Sequence, residues 1–313
     1  MNTPMNPQSN AVPDSSVDAH PIKPPALSVT RPFYWSVRRE LWENRSIYIA
    51  PLAAGAVFLL GFLISLTRLP HQIRALSSLE AAQQQENLMR PYDFAAGLIM
   101  ATTLIVGVFY CLDALHGERR DRSILFWKSL PVSDLTTVLS KASIPLVVLP
   151  LLTIAITVAT HWIMLLLSTV VVAGSGLSVR SLWAHLPLFQ MSLMLFYHLL
   201  TVHVLSHAPF YCWLLLVSCW ARRAVFLWAA LPVLVIAVVE RVAFNTSYFV
   251  GMLGRRFSGG SEAVAFHGRM PIEPGMQLTP GNFLSSPGLW IGLVVAGIFL
   301  ATAVRMRRYR EAI

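Results

Sequence analysis

Two groups of residues in this chain have side chains whose types and spacing could do chemistry. The first is a set of histidines. His203-Val-Leu-Ser-His207 places two imidazoles four residues apart, the spacing at which one helical face offers two nitrogens to a metal ion. A zinc protease on that spacing needs a glutamate directly after the first histidine as general base, and residue 204 is valine. Together with His161 and His198, the pair could instead ligate a metal or haem in a membrane enzyme or redox protein. Packing and interhelical hydrogen bonds account for the same four residues without any ligand. That plainer reading is adopted, so no catalytic residue, metal ligand or cofactor is assigned.

The second group is the stretch from Glu118 to Asp134. Glu118, Arg119, Arg120, Asp121 and Arg122 interleave both signs of charge, then run into the apolar Ile124, Leu125, Phe126 and Trp127, followed by Lys128 and a Leu-Pro-Val-Ser break at Pro131 and Ser133. A loop that only set topology would carry the arginines without the carboxylates or the apolar quartet. Charges at 118–122 suit salt bridges to a protein partner, with Leu125 and Trp127 as anchors in a groove. A helix lying flat on the membrane surface is the alternative.

Other chemistries lack their residues. A nucleotide-hydrolysing loop needs lysine after glycine. The chain's three lysines, Lys23, Lys128 and Lys141, follow isoleucine, tryptophan and serine. No Gly-x-Ser-x-Gly elbow for a serine hydrolase occurs. Cys111, Cys212 and Cys219 are odd in number and lie in or beside apolar runs, which points to small buried side chains rather than a disulfide framework.

The elements that position these residues belong to a membrane. Of 313 residues 55% are hydrophobic and 12% charged, with mean hydropathy +0.60, about half the charge of a soluble domain. Six apolar segments are long enough to cross about 30 Å of hydrocarbon: roughly 47–67, 94–112, 144–167, 199–220, 224–239 and 288–304. Gly55 and Gly61 in the first suit close helix packing, and Pro145 or Pro150 would bend the third. Within 186–220 one crossing preceded by an interfacial or re-entrant helix is expected, with two crossings as the alternative. Residues 68–92 read as a polar loop and 241–287 as a long outer loop without periodicity.

The formal charge of +9 is therefore not a nucleic-acid signature. Six spans with both ends in the cytoplasm put sixteen basic residues inside and eight outside, the bias that sets orientation. Residues 1–30, rich in Pro, Ser and Asn, are expected to form a disordered cytoplasmic tail. The stretch 31–45 alternates charge with aromatics and predicts an amphipathic interfacial helix carrying Trp35, Arg38, Arg39 and Trp42. Glu240, directly after the fifth apolar run, is a candidate intramembrane functional charge, with Arg241 beside it as a boundary partner.

The stretch Asp113-Ala-Leu-His-Gly-Glu-Arg-Arg-Asp-Arg-Ser-Ile-Leu-Phe-Trp-Lys-Ser-Leu-Pro-Val-Ser133, and Trp213-Leu-Leu-Leu-Val-Ser-Cys-Trp-Ala-Arg-Arg223 at the exit of span four, resemble the permease subunits of ABC-2-type ABC transporters. The order of spans and the basic C-terminus fit too, over residues 31–313. The resemblance implies an all-α domain of six transmembrane helices, used as a homodimer or heterodimer in a bacterial cytoplasmic membrane. It implies no enzyme activity of its own and a separate cytoplasmic ATPase that binds the ATP. That ATPase would dock on a short coupling helix within 118–134 and on the 31–45 segment, and the complex would work as an exporter. The cargo is not specified. A membrane enzyme using the histidines, or a non-transporting anchor or sensor, are the readings it competes with.

Overall fold

The structure, a computed structural model, describes residues 30–76, 80–121, 132–257 and 284–309, with Ser78 and Ser123. Among the described residues the chain is all-helical and has no strand. Amphipathic α1 (Thr30–Glu43) leads into α2 (Ser46–Ser65), which is apolar throughout. Five helical segments are long and apolar enough to cross a membrane, and a sixth joins them if the bent pair 182–200 and 204–220 is one span.

Most of the described residues in 68–92 are helical. They fold as α3 (Leu69–Leu76) and the opening turns of α4 (Ala81–Ala114). The Ala-Ala-Gln-Gln-Gln-Glu run reads as polar, but alanine, glutamine and glutamate are all good helix formers, so local propensity extends the helix outward from the apolar part. At 1.5 Å per residue α4 is about 51 Å long, well beyond one hydrocarbon thickness.

After α5 (His116–Arg120), α6 (Asp134–Ser143) continues through a π-helical turn at Ile144–Val148 into α7 (Leu149–Gly174). Pro145, which lacks an N–H for the regular ladder, sits in that π turn, and the helix runs on through it as one long segment from Asp134 to Gly174. Ser133 is the N-cap of α6, accepting a hydrogen bond from the Thr136 N–H at 3.1 Å. The Ser133→Ala variant should lose about 1 kcal/mol of stability, the usual value of such a cap, read as a lower thermal midpoint.

The stretch 179–220 comprises α8 (Val179–His185), α9 (Leu188–Tyr197), a second π turn at His198–His203 and α10 (Val204–Trp220), with a 40° bend between its halves. A tight turn places Ala224 in the left-handed region (φ 50°) before α11 (Val225–Phe244). Then come α12 (Tyr248–Phe257) and α13 (Pro287–Tyr309). The remainder of the expected outer loop, 258–283, and the tail 1–29 lie outside the described residues.

Packing follows residue size. A Cβ on Gly55 would sit 3.3 Å from Thr160 Oγ1, so glycine lets α2 close on α7. A Cβ on Gly107 would sit 3.1 Å from the Tyr211 ring and 3.3 Å from Leu149, so glycine admits α10 against α4. Gly61, expected to do the same, has nothing within 4 Å of its would-be Cβ and faces outward. Ala208, Cys212 and Ala296 keep α10 and α13 close. One core cluster gathers Ile47, Tyr110, Leu149, Tyr211 and Leu215, and a second, toward the other end, gathers Phe62, Tyr92, Met164 and Leu186. Helix α11 stands at the periphery, with Ala229 its one buried residue.

Candidate functional site

At one end of the bundle, buried charges from four elements meet. Helix α1 supplies Glu40, α5 supplies Glu118, α6 supplies Lys141, and the last turn of α13 supplies Arg307. Lys141 Nζ lies 2.7 Å from Glu40 and 3.2 Å from Glu118. Arg307 pairs with Glu118 through Nη1 and with Asp134 through Nε at 3.2 Å. The Tyr110 hydroxyl of α4 donates to the second Glu40 oxygen at 2.9 Å. Glu118 is 7% exposed, and Lys141 and Arg307 are each 3% exposed, so this is an interior network.

The network holds because its charges balance. Glu40, Glu118 and Asp134 face Lys141 and Arg307, and the third buried cation, Arg119, is committed nearby. Its Nη1 donates to the Cys219 carbonyl at 2.7 Å and the Ala221 carbonyl at 3.3 Å. Those carbonyls lie at the C-terminal end of α10, where helix geometry leaves acceptors open and favours positive charge. Ser218 completes the joint by accepting from the Leu115 and His116 N–H groups at 3.1 and 2.9 Å. Each of α1, α4, α5, α6, α10 and α13 is thus tied to its neighbours by a buried polar bond. The beginning and the end of the described chain also lie at the same end of the bundle.

The segment expected to meet a partner divides into two environments. Glu118 and Arg119 point inward and hold the chain together, which removes them from an outward-facing docking surface. Helical phase explains this: α5 turns its 118–119 edge toward α6, α10 and α13. Arg120 and Asp121 face outward, with Arg120 3.1 Å from Asp121 and 3.8 Å from Asp113. Ser133 is occupied as a cap. Arg122, Leu125, Trp127, Lys128 and Pro131 lie outside the described residues.

Helix α1 has the expected two faces. Trp35, Arg38 and Trp42 share the outer one, with the Arg38 guanidinium 5.1 Å from the Trp35 ring and 4.9 Å from the Trp42 ring, stacked on both by cation–π attraction. Arg39 flanks them in an ion pair with Glu43 at 2.7 Å. The inner face presents Val37, Glu40 and Leu41.

Glu240 acts on its own neighbourhood. Its carboxylate accepts from the backbone N–H groups of Tyr248 and Phe249 at 2.5 and 2.9 Å and from the Thr246 hydroxyl at 3.0 Å. It therefore caps the start of α12, where a negative charge is favoured. The four histidines do not form one site. His161 bonds the Tyr92 carbonyl, while His203 and His207 stack with ring centroids 4.3 Å apart and His198 lies near enough to interact with both. Among the described residues no group of three His, Cys, Asp or Glu side chains is arranged to hold a metal ion.

Glu40, Tyr110, Lys141 and Arg307 were missed at the level of sequence, although two of them leave a trace. Glu40 falls on the apolar stripe of α1 between Val37 and Leu41, where a carboxylate must find a cation. Lys141 stands directly before a long uncharged run, where a lysine must find a carboxylate. No family model matches the chain, and neither a curated protein nor a solved structure matches it.

Proposed function

We propose that the chain is the membrane-spanning permease subunit of an ATP-driven transporter of the ABC-2 type, an exporter that works as one of a pair of subunits with a separate cytoplasmic ATPase. The joint order of its sequence motifs supports this reading. The observation that carries it is mechanical: α5, which opens the 118–134 stretch, is wired through Glu118 to α6 and α13, and through Lys141 to α1. A load applied at the exposed Arg120 and Asp121 passes through buried ion pairs into the long α6–α7 rod and the last span. Such a joint converts a push on a short helix into rigid-body movement of spans, which is what alternating access requires. Six crossings with both ends in the cytoplasm agree with the gathering of the basic chain ends at the network end.

The test is a pull-down of the detergent-solubilised protein from its native membrane. Charge reversal belongs at the exposed residues, Arg120→Glu with Asp121→Arg, because reversal at Glu118 or Arg119 would break the interior instead. A stoichiometric ATPase that is retained by the native chain and lost from the double variant is the expected result. An ATPase held equally by both would remove the docking role from α5, and a preparation without any ATPase would sink the transporter reading.

A further inference from the structure

The interface between α4 and α7 carries a polar seam through an otherwise apolar bundle. On α7, Thr153, Thr157, Thr160 and His161 are all buried. Three of them have clear partners. The Thr153 hydroxyl lies 2.9 Å from Thr103 Oγ1 of α4 and 2.8 Å from the Leu149 carbonyl. Thr160 returns its hydroxyl to the Ile156 carbonyl at 2.8 Å, the usual arrangement for threonine within a helix. His161 Nε2 lies 2.9 Å from the carbonyl of Tyr92.

That last contact fixes the tautomer. A carbonyl oxygen can only accept, so Nε2 carries the proton and Nδ1 of the neutral ring is a bare acceptor. Nδ1 is buried and has no partner, in a residue 3% exposed. One turn earlier, the hydroxyl of Thr157, a residue 0% exposed, has none either and does not take the backbone option its neighbours take. An acceptor and a hydroxyl thus stand unsatisfied one turn apart on the same face of α7. In a helix, long side chains lean back over the preceding turn, which carries the His161 ring toward Thr157. Leaving either atom unpaired in a low-dielectric interior is costly, and a buried water with two to four polar partners is the usual remedy.

We propose that the α4–α7 seam binds a resident water, donating to His161 Nδ1 and exchanging a hydrogen bond with the Thr157 hydroxyl. The site is independent of the transporter reading, since it follows from the chain's own bonding.

Radiolytic hydroxyl-radical footprinting of the full chain in nanodiscs, read by mass spectrometry, tests it, because radicals formed from a bound water oxidise side chains that bulk water cannot reach. Tyr92, whose ring centroid lies 5.5 Å from that of His161, is the reporter, and Tyr211, similarly buried, is the reference. The expected result is that Tyr92 and His161 are modified several-fold faster than Tyr211, and that Thr157→Val brings them down toward the Tyr211 rate. That substitution replaces a hydroxyl by a methyl and leaves the helix intact, which a circular dichroism spectrum verifies. Tyr92 and His161 as unreactive as Tyr211 would show a dry seam and overturn the site. Fast labelling unchanged by Thr157→Val would place the water elsewhere and overturn it equally.

Discussion

Replacing Lys141 with methionine should lower stability by about 3–5 kcal/mol, the range found when one partner of a buried ion pair is removed. Lys141 is the cation that Glu40 and Glu118 share, at 2.7 and 3.2 Å. Without it Glu40 keeps only the Tyr110 hydroxyl, and Glu118 keeps only Arg307. Glu118→Gln should cost less, although Glu118 is also buried, because each cation it leaves behind retains one carboxylate: Lys141 keeps Glu40, and Arg307 keeps Asp134. Thermal unfolding of the purified variants, followed by size-exclusion chromatography, gives the order. A Lys141→Met protein as stable as the native chain would mean that the network contributes no net stability. The double variant Glu40→Gln with Lys141→Met should recover part of the loss, since paired removals in contact are not additive.

Gly107→Leu should destabilise by about 1–3 kcal/mol, the cost of forcing atoms into a filled core. Its first added carbon already meets the Tyr211 ring at 3.1 Å, the Tyr211 hydroxyl at 3.2 Å and Leu149 at 3.3 Å. Those neighbours belong to α10 and α7, so relief requires α4 to move away from both. Gly61→Leu is the matched comparison: nothing lies within 4 Å of its Cβ, and the better helix propensity of leucine should leave stability equal or raised. If both variants melt at the same temperature, the close approach of α4 to α10 is not as tight as described.

Much of the architecture was legible in the sequence because hydrophobic length is a strong local signal. The apolar runs near 47–67, 94–112, 224–239 and 288–304 each became a helix, and the expected irregularity at Pro145 is a π-helical turn within one long helical segment. The polar 68–92 stretch was misread because hydropathy reports on the solvent a segment meets and not on whether it is helical. The two faces of α1 were legible from the spacing of Trp35, Arg38 and Trp42. The direction of Glu118 and Arg119 was not. Whether a charge at a helix end looks outward or inward depends on partners 100 and 189 residues away in the chain, such as the Cys219 carbonyl and Arg307, which no local pattern encodes.

The pairing of Glu118 with Arg307 also bears on how the molecule is made. Glu40, Glu118, Asp134 and Lys141 all precede the last helix in the chain, and with the buried Arg119 already bonded to the carbonyls at the end of α10 they number three carboxylates for one lysine. Arg307 supplies the second cation, so full pairing at this end of the bundle waits on the last helix. A chain ending before Arg307 would therefore keep most of that helix and still leave Glu118 and Asp134 without the cation they share.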